Sequence, residues 1–148
     1  MKLYVLNGPN LNLLGIREPN VYGNESYNDL IQKIESYAKE KNISVKCLQS
    51  NHEGTLVDHI HEGFFEGIDG IVFNPGAYTH TSIALFDALK ATRIPTVEVH
   101  ISDVDARDPF RQVSYIRPAC IATVKGHGTT GYLEAIDILL SHISEAKK

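Results

Sequence analysis

"GIVFNPGAYTHTSIALFDALKATRIPTVEVHIS", residues 70–102, decides the architecture. Gly70–Asn74 is a short apolar run stopped by Asn-Pro-Gly, which reads as a buried strand. Thr81–Thr92 has the length and spacing of a helix. Pro95 then precedes a second apolar run, Thr96–His100, which reads as the next strand. Two strands joined through a helix pair in parallel, because the crossover brings the chain back to the same end of the sheet.

The same alternation extends in both directions. Upstream, "KLYVLNG" (residues 2–8) is a first strand ended by Asn-Gly. Ser26–Lys41 places Leu30, Ile31, Ile34, Tyr37 and Ala38 at helical spacing, with Ser26 and Asp29 as an N-terminal cap. "ISVKCLQ" (43–49) is a second strand, and Thr55–Phe65 a second helix with Leu56, Ile60 and Phe64 on one face. Downstream, a short helix is expected around Phe110–Tyr115, then the strand "CIATVKG" (120–126). A last helix at about Thr130–Ala146 turns Ile136, Leu139, Leu140 and Ile143 inward. There is no internal repeat, linker or low-complexity segment. Alternating strands and helices require a parallel sheet covered on both faces. In a chain this short, right-handed crossovers favour one α/β domain over residues 1–148. The expected form is a flavodoxin-like, five-stranded sheet of order 2-1-3-4-5.

Composition excludes several functions. The chain has 148 residues, enough to bury a core, and a net charge of -4. That balance argues against a nucleic-acid or anionic-membrane partner. No apolar run approaches membrane-spanning length. "MKLYVLNG" carries one lysine and too short an apolar core for a signal peptide. Cys47 and Cys120 sit singly in apolar runs and read as buried, reduced structural residues. The expected setting is the cytoplasm. His59 and His61, two apart on a helix, cannot face one metal. His52, His127 and His142 lack partners at ligand spacing, so neither a metal nor a cofactor is expected. No GxxxxGK[ST], GxGxxG or GxSxG is present.

Sheets of this order bind ligands beyond the carboxyl ends of their strands, at the switch point between strands one and three. Three polar loops fall at that edge: Asn7–Asn10, Asn74–Ser82 and His100–Ser102. Asn-Gly-Pro-Asn is also common turn chemistry, and Thr-His-Thr-Ser also supplies helix caps. A helix N-terminus nevertheless offers N–H groups to an anion. Glu98 and His100 are harder to explain as scaffold. They share one face of a central strand, and a carboxylate buried there is costly unless paired. Imidazole oriented by a carboxylate is a general acid or base. A further loop, "GIREPNVYG" (15–23), carries Arg17 and Tyr22. A phenol needs a nearby cation to serve as a base at neutral pH.

Four stretches, "NGPNLNLLGIREPNVYG", "NPGAYTHTS", "EVHIS" and "ARDPFRQVSYI", together resemble the type II 3-dehydroquinate dehydratases, in order and over essentially the whole chain. The resemblance implies a cytoplasmic hydro-lyase that converts 3-dehydroquinate to 3-dehydroshikimate in the shikimate route to aromatic amino acids. It implies an enolate intermediate, no metal, no Schiff base, and a homododecamer built as four trimers. Tyr22 matches the base that removes the proton beside the ketone, and Arg17 matches its supporting cation, both on a lid. His100 matches the acid that protonates the departing hydroxyl, with Glu98 orienting it. Asn10 and the backbone near Gly76 and Ala77 match the holders of a water at the enolate oxygen. Ile101 and Ser102 match the carboxylate site. Asn74, His80 and Arg111 match groups that bind the ring and its hydroxyls. Asp87 matches a residue reaching a neighbouring subunit's site, and Arg107 another motif arginine.

Two places depart from the family pattern. Phe86 stands where an arginine is usual, which bears on an intersubunit ion pair. "VKGHGTTGY" (124–132) is atypical at Lys125 and His127, and this end of the sheet is expected to lie away from the site. Two other classes stay open on residues alone: a small-anion binding module, and a lyase or isomerase for another cyclic hydroxy-keto acid.

Overall fold

The computed structural model describes residues 1–16 and 24–147. Strands β1 (Lys2–Asn7), β2 (Ser44–Gln49), β3 (Gly70–Asn74), β4 (Thr96–His100) and β5 (Ala122–Lys125) form one sheet of order β2-β1-β3-β4-β5. Every pairing is parallel, so the expected flavodoxin-like topology is the observed one. The helices are α1 (Tyr27–Glu40), α2 (Glu53–Glu66), α3 (Ile83–Thr92) and α4 (Thr130–Ala146).

Alternation along the strands divides the core into two. Leu3, Val5, Val72, Val97 and Val99 face α1 and α4, where they meet Leu30, Ile34, Tyr132, Ile136 and Leu139. Tyr4, Leu6, Ile71 and Phe73 face α2 and α3, against Leu56, Ile60, Leu85 and Leu89. Each such fully buried aliphatic side chain contributes roughly 1.5–3 kcal/mol by leaving water. The α1 start follows its cap: the Ser26 side chain accepts from Asp29 N–H while Asp29 accepts from Ser26 N–H, both at 3.0 Å. That reciprocal pair satisfies two otherwise unpaired donors.

Several boundaries differ from the sequence reading, each for a local reason. Helix α2 begins at Glu53 rather than Thr55, and its inner face passes through Gly63, not Phe64, which is 49% exposed. A Cβ at Gly63 would meet Ile68 and Tyr4 side chains, so the helix sits too close to the sheet there for a larger residue. Helix α3 starts only at Ile83, capped by Ser82 Oγ accepting from Leu85 N–H at 3.0 Å; the preceding Gly76–His80 is a 3-10 turn. The helix expected at Phe110–Tyr115 is only a 3-10 turn, Pro109–Arg111. Its continuation is drawn elsewhere: Tyr115 N–H donates to the Thr79 carbonyl at 2.9 Å, and the Val113 carbonyl accepts from His80. Cys47 and Cys120 are free but only partly buried. Desolvation pushes both thiols up to about 12, so they stay unionised at neutral pH.

Candidate active site

The carboxyl ends of β1, β3 and β4 meet at a cleft lined by Asn10, Asn74, Ala77, His80, His100, Ile101, Ser102, Arg107 and Arg111, among others. Its floor depends on two loops that cross at backbone distance. Gly8 N–H donates to the Asn74 carbonyl at 2.7 Å. A Cβ at Gly8 would lie 2.2 Å from the Pro75 carbonyl oxygen, so only glycine fits. Gly76 answers from the other side with φ +60 and Pro9 O at 3.1 Å from an added Cβ. Asn10 adopts the left-handed conformation, with φ 70, and its N–H donates to Asn51 Oδ1 at 3.0 Å.

Beneath the floor lies a buried polar chain. Tyr132 on α4 donates its hydroxyl hydrogen to Asn7 Oδ1 at 2.6 Å and accepts from Asn74 Nδ2 at 2.9 Å. Asn74 Oδ1 accepts from Gly76 N–H at 3.1 Å. Both polar atoms of the Asn74 side chain thus have protein partners. The side chain lines the cleft and also braces the turn beside it.

On β4, Glu98 is completely buried and His100 is 3% exposed, and His100 Nε2 lies 2.5 Å from Glu98 Oε2. Strand periodicity puts both on the α2/α3 face, so the pairing expected from their spacing is present. Glu98 has more partners than that spacing suggests. Ser114 Oγ donates to Oε1 at 3.0 Å; Arg117 donates from Nε to Oε1 at 3.3 Å and from Nη2 to Oε2 at 3.1 Å. Burial alone would push the carboxyl up. Hydrogen bonds from His100 and Arg117, with their charges, outweigh it and hold the group down at about 2. Glu98 is therefore a carboxylate throughout the neutral range.

His80 is half-buried. Its Nδ1 lies 2.7 Å from the Val113 carbonyl, which requires the hydrogen on Nδ1. Burial holds its pKa below the usual histidine range, and the His100 and Arg111 charges add to that, against the Val113 bond and Glu98. The ring is neutral at pH 7, so Nε2 is an acceptor. Arg111 donates from Nε to Asp108 at 3.1 Å and lies over the Phe110 ring, 5.2 Å from its centroid. Ile101 and Ser102 follow β4 directly, and the Ile101 carbonyl accepts from Gly128 N–H at 3.0 Å.

The profile of the family described as Dehydroquinase class II matches residues 1–140. The chain belongs to the class II dehydroquinases. It is 52% identical to the 3-dehydroquinate dehydratase of Clostridium perfringens (strain 13 / Type A), over 97% of this chain and 98% of that protein. Among solved structures, it resembles the type II dehydroquinase from Butyrivibrio crossotus DSM 2876, with a TM-score of 0.94 and 55% identity, covering 95% of this chain and 97% of that one. It also resembles the type II dehydroquinase from Propionibacterium acnes, at TM-score 0.90 and 36% identity, covering 95% and 96%.

Of the residues matched to dehydroquinase roles, Asn10, Asn74, Ala77, His80, His100, Ile101, Ser102 and Arg111 come together at the cleft, with Glu98 behind His100. Asp87 does not; it is exposed on α3. Arg17 and Tyr22 lie outside the described residues. The expectation that the β5 end lies away from this dehydroquinase site is corrected: Lys125 stands opposite His100 in the β4–β5 register. A Cβ at Gly126 would lie 3.3 Å from Asp103, so the strand end packs against the loop after β4. Parallel pairing carries β5 alongside β4 to the same edge, a consequence of strand order that the residue types do not announce. Ser114, Arg117 and Tyr132 also belong to the site without a local pattern that marks them, whereas Asn7 lies in the Asn7–Asn10 loop expected at this edge. Ser114 lay within a quoted motif, but nothing local connects Arg117 or Tyr132 to β4 or β1.

Proposed function

We propose that this chain dehydrates 3-dehydroquinate to 3-dehydroshikimate by anti elimination through an enolate, acting as a hydro-lyase of the shikimate pathway. The observation that carries the reading is the buried Glu98–His100 pair opening on a cleft of neutral acceptors, arginines and backbone donors in a chain of this family. The proton beside a ketone becomes removable when the developing negative charge is stabilised. Tyr22, supported by the Arg17 cation, takes that proton as phenolate. Asn10 and the backbone at Gly76 and Ala77 hold a water against the enolate oxygen.

The enolate then collapses and expels the C1 hydroxyl. That group leaves as water only if protonated, and His100 supplies the proton. Glu98 stabilises the imidazolium form and holds the ring's Nε2 edge, so Nδ1 is the nitrogen left for the substrate. His80 accepts a substrate hydroxyl through neutral Nε2, while Asn74 and Arg111 fix the ring. The N–H groups of Ile101 and Ser102, with the Ser102 hydroxyl, receive the carboxylate. The reaction needs neither cofactor nor metal, since proton transfer and hydrogen bonding supply the chemistry.

Asp87 completes the site of a neighbouring subunit, which makes a trimer the smallest active unit and four trimers the assembled dodecamer. The enzyme acts in the cytoplasm; among the described residues no helix is long and apolar enough to cross a membrane. The test is direct. Purified protein and 3-dehydroquinate should generate the ultraviolet absorbance of the conjugated enone product. Folded protein that leaves this substrate unchanged would sink the proposal.

A further inference from the structure

Only one of the hydrogen bonds to Glu98 comes from His100; Arg117 supplies two. Arg117 sits in the 3-10 turn Arg117–Ala119, and its side chain is 34% exposed. Its outer nitrogen, Nη1, lies 3.7 Å from Asp105 Oδ2. Asp105 is in turn ion-paired to Lys125 Nζ, which also lies 3.9 Å from Asp103 Oδ1. Lys125 is the β5 residue opposite His100. Polar and ionic contacts therefore run without a break from His100 through Glu98, Arg117 and Asp105 to Lys125, and return to the sheet beside the starting residue.

We propose that Arg117 is a positioning residue that sets the acid strength of His100 through Glu98, and that Asp105, held by Lys125, moderates Arg117. The inference rests on the reading of His100 as the acid of the dehydration. A carboxylate shared between two cations stabilises each less than it would stabilise one alone. Arg117 donates to both Glu98 oxygens, so it fixes the carboxylate plane and also draws on the charge that would otherwise favour imidazolium. His100 gives up its proton to the leaving hydroxyl more readily as a result. Asp105 works in the opposite sense by neutralising part of the Arg117 charge. Among the described residues, the other charged or titratable groups at the cleft are His80 from the Gly76–His80 turn and Arg107 and Arg111 from the loop after β4. They bear on His100 from the substrate side, whereas Arg117 bears on it through Glu98. An arginine that only tied down its loop would give no ordered shift in proton affinity.

The test uses charge changes of opposite sign. Arg117→Gln should raise the pH midpoint of the His100 imidazole, followed by NMR of histidine-labelled protein, by about one unit. The alkaline limb of the kcat/KM profile for 3-dehydroquinate should move the same way, with kcat reduced. Asp105→Asn should move both midpoint and limb downward. Arg117→Lys should restore the midpoint, because the charge survives, but only part of kcat, because a point charge cannot hold both oxygens. Arg117→Gln and Asp105→Asn shifting together, or neither moving the midpoint by more than about 0.2 unit, would overturn the proposal. The NMR titration needs no substrate. A wild-type protein without dehydratase activity would therefore defeat the functional reading while the midpoints still decided the network.

Discussion

Replacing Glu98 by glutamine removes one charge from the centre of the sheet while keeping the side chain's shape. Both Glu98 oxygens are occupied, by His100, Ser114 and Arg117, and the residue has no exposed surface. Glutamine keeps one acceptor oxygen but turns an NH2 toward donors, so at least one buried hydrogen bond becomes a donor–donor contact. The carboxyl is held at about 2 against an ordinary 4.5, despite burial, by His100 and Arg117. A depression of that size corresponds to about 3 kcal/mol of folding stability at neutral pH. Loss of one partner from a buried ion pair falls in the same range, about 3–5 kcal/mol. In a chain of this length, about 3 kcal/mol lowers Tm by roughly 10 °C. The sign follows from the direction of the shift. A carboxyl depressed in the folded state stabilises it above the unfolded pKa, and that contribution is lost as pH falls through the folded pKa. The gap between wild type and Glu98→Gln should be full at about pH 7, narrow below about 4.5 and close near 2. Urea unfolding followed by circular dichroism, at one fixed protein concentration because any assembly would add to apparent stability, measures it. A variant within about 0.5 kcal/mol of wild type at neutral pH, or a gap unchanged across the acid range, would refute this account of Glu98.

Other outcomes test the remaining parts of the site. Tyr22→Phe should lose turnover by about three orders of magnitude or more with substrate binding largely kept, and Arg17→Lys should retain more activity than Arg17→Ala; near-normal turnover in Tyr22→Phe removes it as the base. His100→Ala should still exchange the substrate C2 proton with deuterated solvent while failing to dehydrate, and normal dehydration by this variant excludes His100 as the acid. Gly8→Ala forces a Cβ to within 2.2 Å of the Pro75 carbonyl, so it should cost about 2 kcal/mol and raise KM by displacing the Asn10 and Gly76 turns; unchanged urea unfolding and KM would contradict the crossing described. Borohydride with substrate should add no substrate-sized mass, and a reduced adduct on any lysine would replace the enolate with Schiff-base chemistry.

The path from sequence to site was legible where the controlling interactions are local. Asn-Gly and Asn-Pro-Gly ended strands where the backbone needs a turn. Ser26 with Asp29 marked the start of α1 because capping groups lie within one helical turn. The spacing of Glu98 and His100 was enough to pair them, since residues two apart on a strand must share a face. The four motifs then identified the family, and with it the reaction.

What the sequence alone determined is the alternation of strand and helix, hence a parallel sheet, and the residue types collected at its carboxyl edge. Tertiary structure decided which distant groups complete that edge. The Phe110–Tyr115 segment is helical only at Pro109–Arg111, because the Val113 carbonyl and Tyr115 N–H bond to His80 and Thr79. Phe64 lost its expected inward place to Gly63 because of how closely α2 approaches Tyr4 and Ile68. Arg117 reaches Glu98 across 19 positions, and Tyr132 reaches Asn7 across 125. Lys125 stands beside His100 because β5 pairs with β4 in one register. Hydrophobic period and turn chemistry act over a few residues, so they report where elements begin and which face is buried. The partners of a buried charge depend on how those elements stack, and that is settled only when the whole sheet has closed around it.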